Sequence, residues 1–138
     1  MMKILRDYFE EKEYEFVVLF GSYATGRAHA MSDVDIGVWC RGDVDLMQIG
    51  YDTAMLESIV EKRVQIVPLN DIYKTDPFFA FEILSAHKPV VVKNEKRYHD
   101  FKRYAQLYYL DHLPLIELNR KALKKRIDEG RAGDRNYA

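Results

Sequence analysis

Cysteine is nearly absent from this chain. One residue, Cys40, stands among 138, so no internal disulfide can form, and the sequence suits a reducing cytoplasm. Cys40 falls in an expected strand and reads as a buried, inert thiol. An excess of charge of either sign is also lacking. Lys and Arg number 21 against 22 Asp and Glu, a formal net charge of −1, which gives no global pull toward nucleic acid or an anionic membrane. No apolar run is long enough to span a bilayer, and residues 1–7 hold no signal-peptide core. No internal repeat or linker-like stretch divides the chain.

What is present describes one ordinary domain. Hydrophobic residues make up 48% and charged residues 31%, enough to bury a core without covalent or metal staples. Ile4, Leu5, Tyr8 and Phe9 at helical spacing predict a helix over 2–13. Residues 16–20 are apolar on both faces and predict a strand in the middle of a sheet. A short helix or turn is expected from Ser22 to Ala28, and a second strand over 34–40. A long amphipathic helix follows over 44–62, with Leu46, Ile49, Leu56, Ile59 and Val60 inward. A third strand is expected over 63–69. Pro77 opens a helix with Phe78, Phe81 and Leu84 toward the core, and residues 89–92 form a short strand, suited to an edge. Pro114 either opens a new helix or kinks the previous one. These elements predict an α+β fold, a small mixed sheet of about four strands flanked by helices. A main domain covers 1–98, and a C-terminal helical extension over 99–138 packs on it.

Residues 21–35 carry the chemistry. Gly21 and Ser22 close the first strand, and ten residues later come Asp33 and Asp35. Strand side chains alternate, so both carboxylates share one face. Two carboxylates that close repel each other unless a cation lies between them. A Gly-Ser turn offers backbone N–H groups to phosphate. The pattern points to a nucleoside triphosphate held by amides at one end and by metal at the other, with Mg²⁺ suited to the hard oxygen donors. Gly21-x4-Gly26 echoes a P-loop, but the Lys and Ser/Thr that motif needs are missing. His29 reads as a loop residue, Ser32 as a turn residue and Trp39 as packing. For the tyrosine-rich, basic band after residue 95, the reading is an amphipathic face with snorkelling cations. A docking surface or an RNA contact would be the alternatives, although direct nucleic-acid binding is not expected at this net charge.

Gly21-Ser22, ten residues, Asp33-x-Asp35 resembles the signature of the polymerase β-like nucleotidyltransferase superfamily, and most closely its minimal nucleotidyltransferase (MNT) branch. Residues 63–69 and Phe81-Glu82-Ile83-Leu84 are similar to the third strand and following helix of those proteins, so the likeness covers roughly 3–100. The resemblance implies a nucleotidyltransferase domain over 1–98 in which Gly21, Ser22, Asp33 and Asp35 bind ATP. Asp33 and Asp35 would be the catalytic residues and the ligands of two Mg²⁺ ions. It also implies an antitoxin that transfers AMP to a tyrosine of a HEPN-domain toxin. One position departs from the pattern: the third carboxylate's strand position holds Gln65. A neutral amide supplies no charge and accepts no hydroxyl proton. That leaves two rivals: an impaired antitoxin that silences its partner by binding, and a transferase with a small-molecule or RNA acceptor.

Overall fold

The run Phe16-Val17-Val18-Leu19-Phe20 is apolar throughout because its two faces lie in two separate cores. A computed structural model of the protein describes residues 1–128, and side chains through residue 114. Its elements run α1 (Met2–Phe9), β1 (Phe16–Phe20), α2 (Ser22–Thr25), β2 (Val34–Trp39) and α3 (Leu46–Val60). They continue with β3 (Val64–Pro68), α4 (Ile72–Thr75), α5 (Pro77–Ser85), β4 (Lys88–Val92) and α6 (Glu95–Asp128). The sheet order is β3-β2-β1-β4. β1 runs antiparallel to β2 and β4, while β2 and β3 are parallel. The parallel pair needs a crossover, and α3 supplies it. The fold is therefore α+β with a mixed sheet, and β4 is an edge strand.

Alternation along the strands sorts the side chains into two layers. Val17, Leu19, Val34, Ile36, Val38, Val64 and Ile66 pack with Leu5, Phe9, Ile49 and Leu56 of α1 and α3. Phe16, Val18 and Trp39 pack on the opposite face with Tyr73, Ala80, Ile83, Tyr98 and Phe101. Trp39 is buried between Phe16 and Tyr73, with the Arg97 guanidinium 5.2 Å from its ring; it is a packing residue. The tyrosines of α6 pack too: Tyr104 and Tyr108 lie against Tyr73, and Tyr109 stacks on Phe81 at 3.9 Å. Lys102 and Arg103 lie over Tyr98 and Tyr104, the snorkelling arrangement expected of this band. α6 runs through Pro114 instead of restarting there. The side chains of Arg120, Lys121, Lys124, Lys125 and Arg126, and all of residues 130–138, lie outside the described residues.

Two helix faces differ from expectation. On α3 the buried positions are Ile49, Asp52 and Leu56, while Leu46 and Ile59 are 71% and 48% exposed. The helix is turned so that a carboxylate takes a core position. Asp52 is fully buried and accepts hydrogen bonds from Tyr8 Oη at 2.6 Å, Tyr14 Oη at 2.5 Å and Gln48 Nε2 at 3.1 Å, with Lys12 Nζ at 3.5 Å. Burial, and then the bonds to Asp52, push both tyrosine hydroxyls far above their ordinary range. On α5 the core takes Pro77, Ala80 and Ile83. Phe78 and Phe81 turn instead toward Tyr109. α4 is too short to leave a periodic signal. Among the described residues no helix is long and apolar enough to cross a membrane.

Candidate active site

Gly21 ends β1 with φ 73° and ψ −155°, a backbone region that only glycine occupies without strain. A side chain would not fit there in any case. A Cβ at residue 21 would lie 3.1 Å from Asp35 Cγ and closer still to its Oδ2. The turn backbone and the carboxylate are thus in direct contact. Gly21 also caps α2, with its carbonyl accepting from Ala24 N at 3.0 Å. Ser22 is the first helical residue rather than the cap, and its hydroxyl caps no amide. α2 has only four residues, so it offers amides from a tight turn and not a helix dipole.

β2 places the two aspartates. Asp35 is half-buried, paired in register with Phe20 of β1 and with Gln65 of β3. Asp33 lies two residues earlier, exposed, just ahead of the strand. Burial, and then the charge of Asp33, raise the Asp35 carboxyl above its ordinary range. Desolvation is the larger cause, and the like charge of Asp33 adds to it. Asp35 belongs to the face that carries Phe20 and Gln65, on the side of α5.

Between these strand ends and α5 lies a cavity of about 430 Å³. Gly21, Thr25, Asp35 and Gln65 line its sheet side. Phe79, Glu82 and Ala86 line the other, with Phe20 joining them. Phe20 and Phe79 meet edge to face at 5.8 Å, which makes an apolar wall beside the acids. Among the described residues the lining includes two carboxylates and no lysine or arginine. Of the residues expected from sequence, Gly21 and Asp35 line the cavity; Ser22 and Asp33 adjoin them in the chain without lining it. Arg27 is exposed and lies outside it. His29 and Ser32 bond each other within their loop, His29 N to Ser32 Oγ at 2.9 Å and Ser32 N to His29 O at 3.0 Å.

Phe79 and Glu82 were not expected at the site. Phe79 and Glu82 stand at i and i+3 of α5, on a stripe adjacent to the buried one, and Ala86 follows at the helix C-cap. That spacing is visible in the sequence once the inward face is known to be Ala80 and Ile83.

Among the described residues no three His, Cys, Asp or Glu side chains gather into a metal cage. Two carboxylates are a partial set of hard oxygen donors, which suits Mg²⁺ because that ion keeps water and substrate oxygens on its remaining positions. A second cavity of about 410 Å³, near Lys12, Tyr14, Arg41, Asp45 and Gln48, has charges of both signs and none of these residues.

Comparison with family models matches residues 3–96 to the family described as polymerase beta, nucleotidyltransferase. No curated protein matches the chain. Several solved structures resemble it over nearly its whole length, among them three toxin-antitoxin complexes. A toxin-antitoxin crystal structure with AMP-PNP is 18% identical, with a TM-score of 0.56, covering 95% of this chain and 97% of that one. A variant of the toxin-antitoxin MntA-HpeT is 15% identical, with a TM-score of 0.59 and coverage of 96% and 99%. The third is a tri-AMPylated Shewanella oneidensis HEPN toxin in complex with MNT antitoxin. It is 14% identical, with a TM-score of 0.52 and coverage of 96% and 100%. At these identities the likeness shows a shared fold.

Proposed function

Because this chain belongs to the polymerase beta nucleotidyltransferase family, we propose that it transfers AMP from Mg-ATP to a tyrosine hydroxyl of a partner HEPN toxin and acts in the cytoplasm as the antitoxin. The observation that carries this reading is the fit of Gly21 against Asp35. A turn backbone free of side chain meets a paired carboxylate at the mouth of a cavity with room for part of a nucleotide. The acceptor and the antitoxin role draw support from the toxin-antitoxin complexes that share the fold, one of them AMPylated.

Gly21 and Ser22 lie where backbone amides can reach the phosphates. Asp33 and Asp35 would hold the Mg²⁺, which when bound supplies the positive charge that offsets the triphosphate. Phe20 and Phe79 shield the reacting end of the cavity from water. In the reaction the acceptor oxygen bonds to the α-phosphorus as the bond to the pyrophosphate oxygen breaks, and pyrophosphate leaves with its electron pair. The protein's share is positioning and electrostatics.

Gln65 favours a second reading, an antitoxin that binds nucleotide without turning it over and silences its partner by occlusion. Incubation with radiolabelled ATP, Mg²⁺ and the HEPN partner separates the two. The transferase reading expects label and the mass of an AMP residue on the toxin, lost with Asp33→Asn. A tight stoichiometric complex with an unlabelled toxin overturns it in favour of occlusion. Label that migrates with RNA or a small molecule moves the acceptor to that class.

A further inference from the structure

The transfer reaction releases a proton from the attacking hydroxyl, and Gln65, at the strand position beside Asp35, cannot take it. The cavity does hold a second carboxylate. Glu82 of α5 lines it across from the sheet, together with Asp35, Gln65 and Gly21. Glu82 makes no salt bridge with any of the described residues, and none of the lining residues is cationic. Glu82 is exposed to solvent as well as lining the cavity, so a hydroxyl entering from outside can meet its carboxylate. Its place on α5 also differs from that of Asp33 and Asp35, which stand at the start of β2 and would be engaged by the cation.

We propose that Glu82 is the proton acceptor of the transfer, a carboxylate supplied by α5 in place of one on β3. The inference rests on the transferase reading. The acceptor hydroxyl enters between Glu82 and the α-phosphate, its oxygen bonds to phosphorus, and its proton passes to a Glu82 carboxylate oxygen. Pyrophosphate departs with the electrons of the broken bond, so no further reactant is needed. The arrangement explains how a chain with an amide at the strand position can still turn over.

The test compares wild type, Glu82→Gln, Glu82→Ala and the double variant Gln65→Glu/Glu82→Gln. AMP transfer to the HEPN partner is measured, alongside calorimetry of Mg-AMP-PNP binding. Glu82→Gln is expected to lower kcat by about 10²-fold or more, with nucleotide affinity unchanged. Formate should restore part of the rate of Glu82→Ala, and Gln65→Glu should restore part of the rate lost in Glu82→Gln. Retained kcat in Glu82→Gln overturns the proposal while the transferase reading stands. So does a loss that appears equally in nucleotide affinity and that neither formate nor Gln65→Glu restores. A wild-type protein that binds Mg-AMP-PNP but labels nothing overturns both.

Discussion

Gly21 and Asp35 are fitted to each other: a Cβ at residue 21 would press into the Asp35 carboxylate. Gly21→Ala therefore carries two penalties, steric overlap and a φ of 73°. The backbone strain alone is worth about 1–3 kcal/mol. We expect a lower unfolding midpoint by denaturant titration and loss of Mg-AMP-PNP binding by calorimetry. Ser22→Ala, which disturbs neither the turn nor a cap, should leave stability unchanged.

The Asp35 carboxyl is held above its ordinary value of 3.8 by burial and by Asp33. An acid with a raised folded-state pKa ionises first in the unfolded chain, so it costs stability as pH rises through that interval. Asp35→Asn is expected to make the free protein more stable at pH 7. The difference should vanish at pH 3, where both side chains are neutral. Thermal melts across this range, without nucleotide, provide the check. Added Mg-ATP should reverse the order, protecting wild type but not the variant.

Asp52 is buried among Tyr8, Tyr14, Gln48 and Lys12. Tyr14→Phe removes the shortest of these bonds and leaves the carboxylate short of a donor. A cost of about 1–3 kcal/mol is expected, read from urea unfolding. Asp52→Asn, which keeps an acceptor but loses the charge, should cost less in combination with Lys12→Met than the sum of the two single changes.

His87 faces Leu84 O at 3.0 Å through Nδ1 and Tyr98 Oη at 2.7 Å through Nε2. A carbonyl only accepts, so Nδ1 bears the hydrogen and Nε2 accepts from the tyrosine. Burial lowers its pKa from the ordinary 6.5. A histidine held neutral by folding gives up stability as pH falls through the unfolded value. Wild type should lose stability between pH 7.5 and 5.5 more steeply than His87→Gln in paired thermal melts.

The central strand, the paired aspartates and the turn at Gly21 were legible because each is set by local chemistry: apolarity on both faces, alternation, and a backbone without side chain. The orientation of the helices was not. Periodicity finds an amphipathic helix but assigns its inward face by counting apolar residues, and two cases defeat that count. Asp52 occupies a core position because donors from α1 and the following loop, distant in sequence, satisfy it. On α5 Phe78 and Phe81 are drawn to Tyr109, far along the chain, so Ala80 and Ile83 take the sheet. The presence of Glu82 in the cavity depends on that same rotation, which is why only the sheet half of the site could be read in advance.

The Asp52 cluster and the cavity lie on opposite sides of one sheet. In a cell this separates two kinds of lesion. Damage to the tyrosine–aspartate cluster would raise the unfolded fraction and expose the chain to proteases, so fewer copies would be present, each fully competent. Damage at Asp35 would leave abundance intact and empty it of effect. Under the transferase reading the second kind is the more dangerous, because each competent copy can modify many toxin molecules while a copy without a working site modifies none.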